Sequence, residues 1–273
     1  MNLEAFAKAV LLGKTIEEKL TDPRLINWDE SLEYQPQRFF EPARHETIGF
    51  SDEQVKFPGK GALAHKKERA KALHFFANHE LLAIEMMAQA LLLFPQMSLS
   101  QKKTLVSTIA DEQKHFSLYV QKMNEYGLTF GELPLNRFFW SFMEKIHTED
   151  EFFAVISLTF EQANLDFANY YRGIFEEIGD LEISEILTIV YEDEIRHVAR
   201  GKHELTQKIK NTEKDLWEYY CELLPEPLTP TRAKGMVFDQ KGRQKSGLSS
   251  SYIKSLKDYR NDFSITKRKQ WKK

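Results

Sequence analysis

The chain has 273 residues, of which 42% are hydrophobic, and its formal net charge is -3. This length and composition suffice for one large domain or two small ones, and they argue against a disordered chain. The net charge does not indicate a surface built to bind polyanions. The single cysteine excludes an internal disulfide and any metal site with four cysteines, so metal ligands would have to be oxygen and nitrogen atoms. Because the amino terminus lacks a signal-peptide pattern and no run of about 18 apolar residues occurs, we expect a cytoplasmic protein that does not enter a membrane.

The predicted elements begin with an N-terminal helix and an irregular, proline-bearing stretch that extends to about residue 60. Beyond it, apolar residues recur every three to four positions and glycine and proline are sparse, which predicts four long helices. Short breaks separate the first helix from the second and the third from the fourth, so we expect two antiparallel hairpins. The four helices are placed at about 62–94, 98–126, 149–178 and 181–210, with shorter ones near 212–224 and 249–259.

The segment between the two hairpins, about residues 127–148, is long enough to run back along the helices as a partly helical crossover. The sequence therefore predicts an all-α four-helix bundle with a long crossover between its second and third core helices. We expect one domain over residues 1–273, with the core bundle at about 62–210. Extra helices and extended stretches at 1–61 and 211–273 would wrap this core.

Each of the four long helices has a glutamate inside its apolar stripe, where a core side chain is expected. An ionised carboxylate in an apolar interior is strongly unfavourable unless it is protonated, paired or bound to metal, and four such groups would also repel one another. We therefore expect positive charge among them. The four acids are Glu80, Glu112, Glu161 and Glu194.

The spacing of these acids divides the chain into two similar halves. Glu80 and Glu112 lie 32 residues apart, Glu161 and Glu194 lie 33 apart, and both midpoints fall at a predicted break between helices. Residues equally far from the turn of an antiparallel hairpin lie level with each other, so each hairpin brings its two acids to one height.

Histidines follow two of the four acids at helical spacing. The glutamates of the second and fourth helices are followed three residues later by His115 and His197, on the same helix face. A third Glu-x-x-His match, Glu144 with His147, lies in the crossover and has no partner acid at the hairpin spacing. We discard it, since chance alone predicts roughly one such match in a chain of this composition.

A glutamate from each of two helices, together with a Glu-x-x-His from each of the other two, is the ligand set of carboxylate-bridged two-metal sites in ferritin-like bundles. Six hard ligands, four of them anionic, suit two metal ions that are iron and/or manganese. The predicted metal ligands are Glu80, Glu112, His115, Glu161, Glu194 and His197.

Two aspartates directly precede the Glu-x-x-His glutamates. In an antiparallel pair of helices, Asp193 could accept the distal N–H of His115, and Asp111 that of His197, which would orient both imidazoles. Exposed helix charges are the alternative interpretation.

Four further side chains lie near the predicted ligands. Tyr119 and Tyr191 share the inner helix face, where a redox or hydrogen-bonding role, and hence a catalytic one, competes with plain packing. Glu85 and Asp166 occupy equivalent places in the two halves, five residues after a ligand glutamate. Helix geometry turns them away from the metals, so we expect them around the site or on the surface.

Five segments together carry a resemblance to a known family: FANHELLAIEMM, DEQKHFSLY, FEQANLDFANYY, YEDEIRHVARG and PLTPTRAKG. They resemble the bacterial ferritin-like family catalogued as a domain of unknown function, number four hundred and fifty-five, over about residues 10–260. The resemblance implies a ferritin-like fold and places metal residues at the six positions named above. It implies no particular reaction.

This ligand set favours an enzyme in which two ferrous ions, or a manganese and an iron ion, activate dioxygen or peroxide to hydroxylate or desaturate an organic substrate. The ligand pattern also resembles that of tRNA-hydroxylating di-iron enzymes, which makes RNA a candidate substrate beside a small molecule. The basic residues 266–273 give weak support to RNA, since a solvated, frayed tail is the preferred interpretation of them. An oxygenase would also need an electron-donor protein. The alternatives are iron handling or peroxide removal of the ferritin or rubrerythrin type, and a non-catalytic metal-binding bundle.

Overall fold

The structure is a computed structural model that describes residues 1–29, 33–53 and 55–261. The regular secondary structure of this part of the chain is helical, apart from one parallel β-bridge between Phe50 and Leu135. None of its helices is long and apolar enough to cross a membrane. The basic residues 266–273 lie outside the described ranges.

The helices follow the predicted order and differ from the predicted bounds by a few residues. Short 3₁₀ helices occur at Pro23–Leu25, Glu46–Ile48, Lys60–Ala64, Trp140–Lys145 and Pro230–Ala233, and a π-helical segment at Ile156–Glu161. The α-helices of the described residues are α1 (Leu3–Leu12), α2 (Ile16–Lys19), α3 (Lys66–Leu93), α4 (Leu99–Glu125), α5 (Glu149–Val155), α6 (Gln162–Glu177), α7 (Leu181–Ile209), α8 (Leu216–Leu223), α9 (Gln240–Lys245) and α10 (Ser250–Asp258).

Contacts divide the chain into two compact units. The first consists of Met1–Lys145 with Ile174–Ile186, and the second of Ile146–Gly173 with Leu187–Lys273, described as far as residue 261. The residues of α6 and α7 are divided between these units. A single ferritin-like bundle over the whole chain stays a prediction.

The first hairpin consists of α3 and α4. Helix α3 is buried on most of its surface, because it packs on both α1 and α4 and its sequence is apolar on more than one side. It ends at Leu93, and α4 begins after Ser98, whose side chain caps the helix in a reciprocal pair with Gln101. The break predicted near residue 96 is therefore confirmed.

The second hairpin contains α5, the π-helical segment, α6 and α7. Thr148 and Glu151 form a capping box at its start, and Gly179, with φ of +78°, lies between α6 and α7. Two contacts define an antiparallel register. Asn164 meets Glu194, 15 residues on either side of Gly179, and Ser157 meets Gly201, 22 residues on either side.

The crossover between the hairpins is partly helical, as predicted, through the 3₁₀ helix Trp140–Lys145. Glu144 and His147 are exposed, which agrees with their rejection as ligands. The crossover also covers His74 of α3, whose Nε2 accepts a hydrogen bond from the Gly131 N–H at 3.2 Å. His74 is buried, and burial lowers its pKa to about 4, so the imidazole is neutral in the folded chain.

Candidate metal centre

The first half of the predicted site is assembled in the first unit. Glu80 lies on α3, and Glu112 and His115 lie on α4, and one ligand atom of each lies within 4.8 Å of the others. All three side chains are buried. His115 Nδ1 is 2.9 Å from Glu112 Oε2, which is hydrogen-bond distance. Two carboxylates and an imidazole at this separation could hold a metal ion.

The second half lies in the second unit. Glu161 ends the π-helical segment, and Glu194 and His197 lie on α7; all three are at most 4% exposed. His197 Nδ1 is 3.4 Å from Glu194 Oε2, a looser approach than the 2.9 Å of the first half. The hairpin register puts Glu161 level with His197, each 18 residues from Gly179. Glu194, which the sequence placed level with Glu161, instead lies level with Asn164, three residues away along the hairpin. The same three residue types therefore recur within about one helical turn of each other in this half.

A side chain that sequence reasoning missed contacts this second half. Asn164, three residues after Glu161 on α6, donates a hydrogen bond from Nδ2 to Oε1 of Glu194 at 2.8 Å. This hydrogen bond joins the two helices of the hairpin, α6 and α7. One oxygen of Glu194 is therefore held by an amide N–H, while the other oxygen faces His197.

The π-helical segment Ile156–Glu161 is the main departure from the predicted helix at 149–178. A π-turn adds one residue to a helical turn, which changes the direction of the side chains that follow it. The Thr159 hydroxyl donates to the Ala154 carbonyl at 2.8 Å, and the buried Tyr220 hydroxyl lies 2.9 Å from Thr159 Oγ1. Since the single Thr159 hydroxyl proton is already used, the Tyr220 hydroxyl is the donor. The segment that ends in Glu161 is thus supported from α8.

A glycine on the facing helix leaves room for this segment. A Cβ at Gly201 of α7 would overlap the Ser157 side chain. Only a glycine allows α7 to approach the π-turn so closely. In the sequence, Gly201 was the available indication of this close approach, since it interrupts an otherwise regular helical pattern.

Glu85 is held by side chains of the N-terminal flank, residues 1–61. Its carboxylate receives two hydrogen bonds from Arg44, at 2.6 and 3.0 Å, and an ion pair from Lys19 at 3.0 Å. All three side chains are almost completely buried. Burial lowers the pKa of Lys19, and the charge of Glu85 opposes that effect. Glu85 is therefore not a surface residue, and two cations neutralise it.

Asp166 is held in the same manner by the C-terminal flank, which begins at residue 211 and is described as far as residue 261. Arg243 of α9 donates to both of its oxygens, at 2.5 and 3.0 Å, and both side chains are fully buried. Backbone N–H groups of Gly235 and Asp239 donate to the same carboxylate at 2.8 and 2.6 Å. A Cβ on Gly235 would lie 2.7 Å from that of Asp166, so the flank approaches α6 more closely than another residue would permit.

A family model described as a protein of unknown function, DUF455, matches residues 4–254. The chain belongs to this family. The resemblance stated from the sequence is confirmed to that extent, and the DUF455 description itself assigns no activity. No curated protein and no solved structure matches the chain.

In this DUF455 chain the two tyrosines differ in their surroundings. Tyr191 is buried, and its hydroxyl donates to Oδ2 of Asp239 in the C-terminal flank at 2.7 Å. Burial and this hydrogen bond raise the pKa of Tyr191 well above its ordinary value. Tyr119 is buried against Phe76, with ring centroids 5.5 Å apart. The hydroxyl of Tyr191 therefore has a structural partner, and a catalytic role for either tyrosine stays a prediction.

The two aspartates also differ. Asp193 is buried and forms an ion pair with Arg196, one turn further along α7, whereas Asp111 is partly exposed on α4. Their predicted hydrogen bonds to His115 and His197 stay predictions.

Proposed function

We propose that this chain is a two-metal oxidoreductase that activates dioxygen or peroxide and oxidises an organic substrate. The two half-sites would together hold two ions, iron and/or manganese. A small molecule or RNA as substrate, and an electron-donor protein, are parts of the proposal. The ligands would be Glu80, Glu112, His115, Glu161, Glu194 and His197.

The observation that carries the proposal is the buried group of Glu80, Glu112 and His115, whose ligand atoms lie within 4.8 Å of one another. Two carboxylates and an imidazole are hard ligands that fit iron or manganese. The second half repeats the same three residue types, also buried, on one hairpin. Four ionised carboxylates and two divalent cations have a formal net charge of zero, so ions of this charge would stabilise the buried acids.

The remaining acids of this region are accounted for separately. Glu85 and Asp166 already have arginine partners, so we assign them to the attachment of the two flanks and not to the metals. The burial of the six ligands would keep bulk water from the ions, and the imidazoles, in their neutral form, would bind through a ring nitrogen. Bound iron or manganese would supply the redox chemistry that activates dioxygen or peroxide.

The test is metal analysis of protein purified without chelator, followed by anaerobic loading with ferrous ion and exposure to oxygen. We expect close to two ions per chain, with no further uptake after oxygen is admitted. Uptake of many more irons per chain would instead indicate iron storage. A chain that binds no metal would contradict the proposal.

Single substitutions sharpen this test. Glu80→Ala and Glu161→Ala each remove a ligand from one half, and each should lower the metal content. Glu144→Ala is the matched control, because Glu144 belongs to a Glu-x-x-His match that is exposed in the crossover. Full metal content in Glu80→Ala and Glu161→Ala would contradict the ligand assignment.

A further inference from the structure

The two halves of the proposed site differ at one equivalent position. Three residues after the first glutamate of each half, the first half has Ala83 and the second has Asn164. The alanine side chain has no polar atom, so it cannot hydrogen-bond to the facing helix. Asn164 donates from Nδ2 to Oε1 of Glu194 on α7 at 2.8 Å. The difference concerns a carboxylate that we propose as a metal ligand.

The hydrogen bond separates the roles of the two Glu194 oxygens. Oε1 accepts from Asn164, and Oε2 lies on the side of His197, 3.4 Å from its Nδ1. In the first half, Glu112 Oε2 and His115 Nδ1 are 2.9 Å apart and within hydrogen-bond distance. An ion entering the first half would have to replace that hydrogen bond. In the second half, Oε2 and the imidazole nitrogen are already further apart.

Hydrogen bonds of this kind orient metal ligands. A carboxylate with one oxygen held by a fixed donor presents its other oxygen and loses less freedom when a cation binds. Asn164 lies on α6 directly after the π-turn, within the same turn as Glu161, so its direction depends on the same local backbone. The amide is half-buried, which strengthens the hydrogen bond relative to one in water.

We propose that Asn164 is a positioning residue that holds Oε1 of Glu194, presents Oε2 to the metal, and thereby makes the two metal positions inequivalent. This inference rests on the proposed two-metal function. Asn164 is not itself a ligand in this account, and it acts only on the position formed by Glu161, Glu194 and His197.

The experiment is anaerobic calorimetric titration with manganese(II), which measures binding without relying on activity. We expect wild type to bind two ions in distinguishable steps. Asn164→Ala should weaken one step roughly tenfold and leave the other unchanged, since the loss of a partner that orients a ligand typically costs about 10- to 100-fold in metal affinity. Asn169→Ala is the matched control, because Asn169 lies on the same helix and bonds only to Arg172 among the contacts described for it.

A double-mutant cycle separates positioning from a general structural effect. In a Glu194→Ala background, Asn164→Ala should have no further effect on manganese binding, because the oxygen that it orients is gone. In a Glu80→Ala background the tenfold loss should persist. Asn164→Leu, which keeps a branched side chain of similar length, is the second variant if the alanine variant does not fold.

The outcomes distinguish this inference from the proposed function. A wild-type chain that binds no manganese or ferrous ion overturns the proposed function. If wild type binds two ions and Asn164→Ala binds them equally well, only the role of Asn164 is overturned. If Asn164→Ala weakened manganese binding equally in the wild-type and the Glu194→Ala backgrounds, that role would also be overturned, since the effect would then not pass through the Glu194 carboxylate.

Discussion

Glu85 in the first half and Asp166 in the second occupy equivalent positions, five residues after a proposed ligand, yet their partners come from opposite ends of the chain. Lys19 and Arg44 of the N-terminal flank hold Glu85, whereas Arg243 of the C-terminal flank holds Asp166. Each flank is thus attached to its own half through a buried ion pair with a helix that carries a proposed ligand or directly follows one. The long flanks therefore help to fix the helices at the proposed site.

The halves also differ in how the backbone approaches the site. In the first, Glu80 lies in the regular helix α3. In the second, Glu161 ends a π-turn that is supported by Tyr220, and Gln162 accepts from the Tyr252 hydroxyl of α10 at 3.2 Å. The second half therefore depends more strongly on side chains that are distant in the sequence. The predictions below test this asymmetry.

The largest expected effect is that of removing the arginine of the second half. Arg243→Ala leaves Asp166 buried without its cation, and should lower the free energy of unfolding by about 3–5 kcal/mol. Arg44→Ala should cost less, about 2 kcal/mol, because Lys19 still pairs with Glu85. Urea unfolding at neutral pH measures both.

The exposed pair of Lys254 with Asp258 supplies the control, since Lys254→Ala should produce no measurable change. An Arg44 variant as unstable as the Arg243 variant would contradict the asymmetry between the two attachments.

A smaller effect is expected from Gly201→Ala. The new methyl group would overlap Ser157 and displace the π-turn, at a cost of about 1–3 kcal/mol and with weaker metal binding by the second half. Gly173→Ala of α6 is the matched control. Apart from the backbone of its own helix, the described residues place no atom within 4 Å of the added methyl group there. A helical glycine is thus replaced without a clash, and stability should rise by about 0.5–1 kcal/mol. Thermal unfolding and metal titration of both variants provide the measurement, and a stable, fully metal-binding Gly201→Ala chain would contradict the close approach.

The stability of the first half should depend on pH because of His74. Burial lowers its folded-state pKa from 6.5 to about 4, so the unfolded chain takes up the proton first as the pH falls. The neutral imidazole of His74 therefore does not reduce the free energy of unfolding above pH 6.5. As the pH falls from 6.5 to about 4, protonation of His74 in the unfolded chain lowers the free energy of unfolding. From pH 7 to pH 5, wild type should lose about 2 kcal/mol more than His74→Gln, in which the amide oxygen can still accept from the Gly131 N–H. Equal pH dependence of the two chains in urea unfolding would show that His74 does not titrate in this way.

The smallest effect is predicted for Tyr191→Phe. The substitution removes one hydrogen bond to the buried carboxylate of Asp239, which should cost about 1.5 kcal/mol, and metal content should not change. Unfolding curves and metal analysis decide between the roles of Tyr191. Unaltered stability together with reduced metal content would instead place this tyrosine at the metal site.

The four long helices and their breaks were predictable because local signals specify them. Apolar periodicity located the second helix at about 98–126, and the structure has it at Leu99–Glu125, where Ser98 supplies the cap. The three groups of the first half were also predictable, since helix spacing alone brings Glu112 and His115 together and the hairpin midpoint adds Glu80.

What sequence reasoning missed depends on contacts between distant residues. The ion pair of Asp166 with Arg243 joins positions 77 apart, and no periodic pattern relates them. The π-turn has no signature in apolar spacing either, because the extra residue is accommodated by Gly201 and by Tyr220 from other helices. Asn164 was overlooked for the same reason, since its importance lies in the Glu194 oxygen that it meets across the hairpin.

The most direct test of the central claim is anomalous diffraction from crystals loaded anaerobically with iron or manganese. The account predicts two metal peaks. Glu80, Glu112 and His115 should surround one, and Glu161, Glu194 and His197 the other. Peaks bound by other residues, or no peak at these six side chains, would contradict it.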